Sequence, residues 1–253
     1  MTAFWKKEWM AQWRTGKVFI LGLLFVFLGV MNPATAKMTP WLLEMMGESL
    51  AASGLVINQM NITALDSWVQ FFKNIPMALI VFVLLLGGIL TEEYRSGTLI
   101  LSLTKGLSRG KVLLTKALVL AVMWTVGYWL CFGITYLYTD FYWDQSVVQN
   151  LLFAAMLWWL FGLWMTSLMV LFSAVANAAS GVMLMCGGSC LAVYLLSFLP
   201  KMGDWMPTQL MNGTALIYGM DTPDSYGKVI TITVVMMAIF VAAALPILHK
   251  KQL

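Results

Sequence analysis

The sequence predicts an all-α, polytopic membrane protein with six transmembrane helices, and three observations carry that prediction. Of 253 residues, 61% are hydrophobic and 10% are charged, against about 25% charged in soluble domains. The mean hydropathy is +0.84, more apolar surface than a soluble core hides. The apolar residues fall in six long runs, and runs of about 18 or more mark spanning helices. The ten-residue alternation of an outer-membrane barrel is absent. No polar segment is long enough for an independent domain, so residues 1–253 are expected to form one transmembrane domain.

Residues 3–17 precede the first span and read as an interfacial helix. Trp5, Trp9 and Trp13 repeat every four residues and form one stripe, with Lys7 and Arg14 opposite and Lys6 and Lys17 flanking. Trp favours the headgroup level and long basic side chains reach toward phosphates, so these residues are expected to anchor the helix on the inner leaflet. The first span is expected over 18–36. Ala34-Thr35-Ala36 resembles a cleavage site, but the apolar run is too long for a signal peptide and reads as a retained span. Thr39-Pro40 then reads as the start of a short outer helix carrying Trp41, since Pro suits the first helical position.

The remaining spans are expected over 75–91, 117–138, 151–176, 179–199 and 229–248. Residues 199–227 hold Pro200, Pro207 and Pro223 among apolar residues. That stretch is too apolar for a free linker and too broken for a span, so short lid-like outer helices are expected there. Six spans put both termini on one side. That side would hold eleven Lys and Arg (Lys6, Lys7, Arg14, Lys17, Arg95, Lys105, Arg109, Lys111, Lys116, Lys250 and Lys251) against four opposite (Lys37, Lys73, Lys201 and Lys228). The positive-inside bias therefore predicts cytoplasmic termini. The net charge of +4 is a topology signal, not a nucleic-acid surface.

The centres of the expected spans contain no Asp, Glu, Lys, Arg or His. Carriers coupled to protons or ions usually bear such a charge at a cost of about 2.5–3.5 kcal/mol. An intramembrane metalloprotease is disfavoured because the one His is His249, and a Ser hydrolase would lack a base. Cys186 and Cys190 lie four apart on one helix face, but with no His or acid near in sequence they read as inert thiols. No Gly-x-x-x-x-Gly-Lys-Ser/Thr run cradles phosphates. The chain is thus expected to carry no catalytic site, cofactor or metal, and any nucleotide hydrolysis would belong to another polypeptide. Many Met and aromatic residues, among them Trp124, Trp129, Trp158, Trp159 and Trp164, suit lipid contact, helix packing or an apolar cargo.

The segment 92–110 is the one with a mechanism to offer. Glu92 and Glu93 end the second span, Arg95 follows, Gly97 can break the helix and Thr98 can cap another. Leu99, Ile100, Leu101 and Leu103 then give a short apolar face, which Gly106 ends before Ser108, Arg109 and Lys111. Such a helix across the bases of two spans suits a partner's groove; an ordinary inner loop explains it equally well.

These residues resemble the permease subunits of ABC-2 type transporters, whose pattern is Glu-x-x-x-Gly-Thr, an apolar stretch, then Thr-Lys-x-x-Ser-Arg. Here the matching positions are Glu93, Gly97, Thr98, Thr104, Lys105, Ser108 and Arg109, with Gly106 where many members have Pro. Met31-Asn32-Pro33 with Thr39-Pro40, and Pro207 with Leu210, look like outer-loop features of the bacitracin-resistance and peptide-toxin exporter branch, a type V exporter-like group. The resemblance implies two permeases, as a homodimer or a related heterodimer, with two copies of an ATPase subunit that binds ATP and Mg2+. It implies that 92–110 is the coupling segment and that the amphipathic N-terminal helix contacts the ATPase. The function expected is export of amphipathic peptides or hydrophobic antibiotics from a bacterial plasma membrane, with Trp41, Trp158, Pro207 and Leu210 as candidate cargo-path or lid residues. The alternative is a non-exporting immunity or sensor subunit that binds a peptide or antibiotic at the outer face.

Overall fold

A computed structural model describes residues 2–45, 61–99, 104, 106–199 and 202–250. It is all-helical in those residues. The helices are α1 (Thr2–Arg14), α2 (Lys17–Met45), α3 (Ala64–Leu86), α4 (Thr91–Arg95), α5 (Arg109–Tyr142), α6 (Leu151–Val175), α7 (Ala179–Leu196), α8 (Gly213–Ile217) and α9 (Gly227–Lys250). Six stretches are long and apolar enough to cross a membrane: α2, α3 running on into α4, α5, α6, α7, and α9 with the turn before it. The chain is a multi-pass membrane protein.

Successive spans alternate in direction, so the bundle has two distinct ends. One gathers the start of α2, the α3–α4 turn, the start of α5 and the end of α9. Lys17 reaches Glu92 and Arg109 reaches the carbonyls of Leu248 and His249 there. The other end gathers Lys37 with Tyr142 and the short helices after α7.

Three boundaries differ from the sequence reading by eight residues or more, one being the start of α5 at Arg109, where residue 117 was expected. The first span does not end near residue 36: α2 continues through Pro33 and Pro40 to Met45. Thr39-Pro40 is therefore not a helix start, and Trp41 rides on the same helix, 53% exposed. The second span begins at Ala64, capped by Thr63 and Asp66, eleven residues before the apolar run suggested. Lys37, just past the expected end of the first span, lies 3.6 Å from the centre of the Tyr142 ring of α5. Polar residues at the ends of these helices find partners on neighbouring spans, so the helices outlast their apolar runs. Asn74 Nδ2 donates to Asn32 Oδ1 (2.8 Å), Asn32 Nδ2 to Thr135 Oγ1 (3.1 Å), and Thr135 Oγ1 to the Gly29 carbonyl (3.2 Å). Gly29 is the residue whose helical donor Pro33 removes, being four positions later. Ser67 and Thr139, both buried, meet at 2.7 Å.

The core is aromatic. Trp124 of α5 packs edge-on against Phe25 of α2 and Phe82 of α3, with ring centroids 6.0 and 5.5 Å away. Its indole N–H donates to the Trp159 carbonyl at 3.0 Å, and the Tyr128 hydroxyl to Ala155 at 2.7 Å, so neither polar atom is stranded. Glycine permits these approaches: a Cβ at Gly127 would run into the Phe25 ring, and one at Gly162 into Trp124. By contrast α7 buries only Val182 and Cys186 within the chain.

Candidate coupling site

After Leu86 the second span relaxes into a four-residue turn, and the carbonyls it frees need donors. One comes from Lys116, on the second turn of α5, whose Nζ lies 2.9 Å from the Ile89 carbonyl. The same ammonium is 2.9 Å from Glu8 Oε2 of α1 and 3.4 Å from Glu93 Oε2 of α4. Lys116 and Glu8 are almost sealed from solvent, with side chains 4% and 2% exposed, and Glu93 is 13% exposed. Lys7 closes the group, 3.0 Å from Glu93 Oε1 and 3.5 Å from Glu8 Oε1. Two ammoniums and two carboxylates thus join three elements, and a peripheral pair, Lys17 with Glu92 at 3.3 Å, adds the start of α2.

Burial of two charges is favourable only when they are paired and hydrogen-bonded. Here Lys116 donates to Glu8 and to the Ile89 carbonyl and lies within ion-pair distance of Glu93, while Glu93 Oε2 and Glu8 Oε1 accept no hydrogen bond. Burial alone would lower the pKa of Lys7, but its hydrogen bond to Glu93 and the negative charges of Glu93 and Glu8 outweigh that and raise it above 10.5. Lys7 therefore stays charged at neutral pH.

Glu8 gets there because α1 turns Phe4, Glu8 and Gln12, spaced by four, toward the bundle. This rotates the helix relative to the sequence reading. Trp5 and Trp9 flank the buried stripe and stack edge-on at 6.1 Å, while Trp13 is 63% exposed. Lys7 does not point away toward headgroups but into the ion cluster; Arg14 is exposed. The sequence reading names neither Glu8 nor Lys116 as a site residue; both are buried, and neither lies at the centre of a span. Both lie near a bundle end and neutralise each other.

The rest of the motif surrounds this cluster. Arg95 is exposed, Gly97 adopts a left-handed φ of 69° that ends α4, and Ser96 and Thr98 hydroxyls lie 2.8 Å apart. Leu99 is buried. Leu101 and Lys105 lie outside the described residues. Thr104 is exposed, and Gly106 is left-handed at 87°. Ser108 caps α5 by accepting from the Lys111 backbone N–H, and Arg109 donates to Leu248 at 2.8 Å and His249 at 3.1 Å. A cation on the last carbonyls of α9 also favours its dipole. The motif's start is thus tied to α1 and its end to the last span.

At the other end, three of the four lid candidates come together. Pro207 and Leu210 are buried in the short helix Pro207–Met211, and the Trp158 indole N–H donates to the Met211 carbonyl at 3.0 Å. Trp41 is not among them.

An ion cluster thus ties α1 to α4 and α5 at one end of a six-span bundle. The chain belongs to the ABC-2 family of transporter proteins, whose family match runs over residues 2–219. It is accordingly the membrane component of an ABC transporter, a family that implies a separate ABC ATPase partner. It is also 23% identical over 95% of both chains to the uncharacterized transmembrane protein YxlG of Bacillus subtilis (strain 168).

Proposed function

We propose that this chain is the exporting permease of an ABC transporter, and that force from the ATPase enters through 92–110 and is shared with the bundle by the Glu8–Lys116–Glu93 cluster. The carrying observation is the Lys116 ammonium held between Glu8, Glu93 and the Ile89 carbonyl. A displacement of α4 must move α1 and α5 with it or break buried charge pairs, which costs about 3–5 kcal/mol when one partner is lost. That approaches the roughly 5.5 kcal/mol that drives a two-state switch from mostly one form to mostly the other. The motif end is cytoplasmic in this reading. Two permeases act with two ATPase subunits, and the cargo is an amphipathic peptide or hydrophobic antibiotic.

The test is co-expression with the ATPase, reconstitution in proteoliposomes, and comparison of Glu93→Ala and Leu101→Asp with the parent. Both variants are expected to insert and fold yet lose cargo-stimulated ATP hydrolysis and transport, with Leu101→Asp also losing co-purification. Normal coupling in both would reduce 92–110 to a passive loop. Peptide capture at the outer face with no transport would favour an immunity or sensor role instead.

A further inference from the structure

At the end of the bundle opposite the ion cluster, α2, α5 and the residues just before α3 frame a pocket of about 300 Å³. It is lined by Lys37 and Pro40, by Asn61 and Ile62, and by Tyr142 and Trp143. The Lys37 ammonium sits 3.6 Å from the centre of the Tyr142 ring. A ring face attracts a cation without neutralising its charge. Among the described residues no carboxylate pairs with Lys37. Acids on the neighbouring segments are engaged elsewhere: Asp66 by Thr63, Asp140 by Gln145 and Asp144 by Ser146. By contrast Lys7, Lys17 and Lys116, at the other end, each hold a carboxylate.

The lining is rich in donors. The Lys37 ammonium, the Asn61 amide, the Tyr142 hydroxyl and the Trp143 indole N–H can each donate, and no acidic side chain joins them among the described residues. None of these four side chains donates a hydrogen bond to another described residue. One positive charge with several donors suits an anion with several acceptor oxygens. Depth in the membrane selects which anion. From Lys17 to Lys37 the helix α2 rises about 30 Å, the thickness of a hydrocarbon core. Lys37 therefore stands at headgroup level. The aromatic run there agrees, since Phe141, Tyr142 and Trp143 stack in sequence with centroids 5.1 and 5.6 Å apart, and Tyr and Trp favour that level.

We infer that this pocket binds the phosphate of an anionic phospholipid, with Lys37 as the counter-charge and Asn61, Tyr142 and Trp143 as further donors. The headgroup that fits carries uncharged hydroxyls beyond its phosphate, because the lining holds no carboxylate to receive a second ammonium. A lipid seated there ties α2 to α5 and to the start of α3, at an end where no ion pair among the described residues joins them.

The experiment uses the full-length permease alone, in nanodiscs of equal phosphatidylglycerol and phosphatidylcholine, so its outcome does not depend on the ATPase. A benzophenone amino acid replaces Ile62, or Pro40 in a second variant, and mass spectrometry identifies the lipid captured on irradiation. Each variant is checked for a native melting transition. Phosphatidylglycerol adducts are expected to exceed phosphatidylcholine adducts about fivefold, the enrichment that one basic residue near an anionic headgroup gives. Lys37→Gln should return the ratio to that of the membrane, Lys37→Arg should keep the enrichment, and Lys228→Gln, a basic residue expected at the same end, should leave it unchanged. Excess glycerol 3-phosphate should not displace the lipid adduct. Adducts in the membrane's own ratio at both positions would mean contact with bulk lipid and overturn the site. Enrichment that survives Lys37→Gln, or is lost in Lys228→Gln, would overturn the role of Lys37. Displacement by glycerol 3-phosphate would make the ligand a free phosphate, not a lipid.

Discussion

Lys116 links three elements with one ammonium, and a change there reads out how much of the junction depends on charge. Lys116→Ala leaves Glu8 buried without its main partner, so it is expected to cost about 3–5 kcal/mol, measured as a lowered unfolding transition in detergent. Lys116→Met combined with Glu8→Leu removes both charges and keeps the volume, and should be closer to wild type than Lys116→Ala. A double variant as unstable as the single one would show that packing, not charge pairing, holds α1. Lys7 gives a second test, in pH. Its pKa is raised in the folded state, so its contribution is complete below 10.5, the ordinary lysine value, and is lost as pH rises through the raised value. Trp fluorescence of α1, from Trp5 and Trp9, should hold steady through neutral pH and change in strong alkali, and Lys7→Met should remove that alkaline change. Glu93, Gly97 and Arg109 were legible because motif spacing and helix-breaking chemistry are local. Glu8 and Lys116 were not, since each makes sense only once α1 docks. The available signal was that Glu8 is the one acid before Glu44 and shares a helix face with Phe4 and Gln12.

At the scale of elements, α2 shows how proline can mislead. Thr-Pro normally begins a helix, yet Pro40 sits inside one, with the Thr39 hydroxyl donating to the Thr35 carbonyl at 2.9 Å. Proline is tolerated in a spanning helix when the freed carbonyl finds another donor, and for Pro33 that donor is Thr135. Thr135→Val should therefore destabilise by about 1–2 kcal/mol. Pro33→Ala restores the backbone N–H, so in that background the cost of Thr135→Val should shrink. A double-mutant cycle on thermal unfolding measures the difference, and additive effects would mean that Thr135 does not compensate for Pro33. The short helices between α7 and α9 were foreseen from proline spacing. The extension of α3 back to Ala64 was not, because Asp66, Lys73 and Asn74 look like loop residues until Asn32 is seen beside Asn74.

For the molecule as a whole, the alternation of spans fixes which segments share an end, and charge decides which end faces the cytoplasm. Burial of Lys116 lowers the basic count at the α1 end from eleven to ten, still well above the four opposite. Pairing of Lys7, Lys17 and Lys116 with acids does not weaken the argument, because Lys and Arg set orientation and acids contribute little. The α1 end is therefore expected to be cytoplasmic and the Pro207–Met211 end external. Cys131 and Cys186 are buried and Cys190 is half-buried within spans, so a membrane-impermeant maleimide should report mainly on introduced thiols. Ser96, exposed beside Gly97, and Met220, 79% exposed after α8, mark the two ends. In intact cells Met220→Cys should label and Ser96→Cys should not, whereas inside-out vesicles should reverse the pattern. Labelling of Ser96→Cys from outside would place the Glu8–Lys116–Glu93 cluster away from any cytoplasmic ATPase, and the coupling role proposed for it would then have to be abandoned.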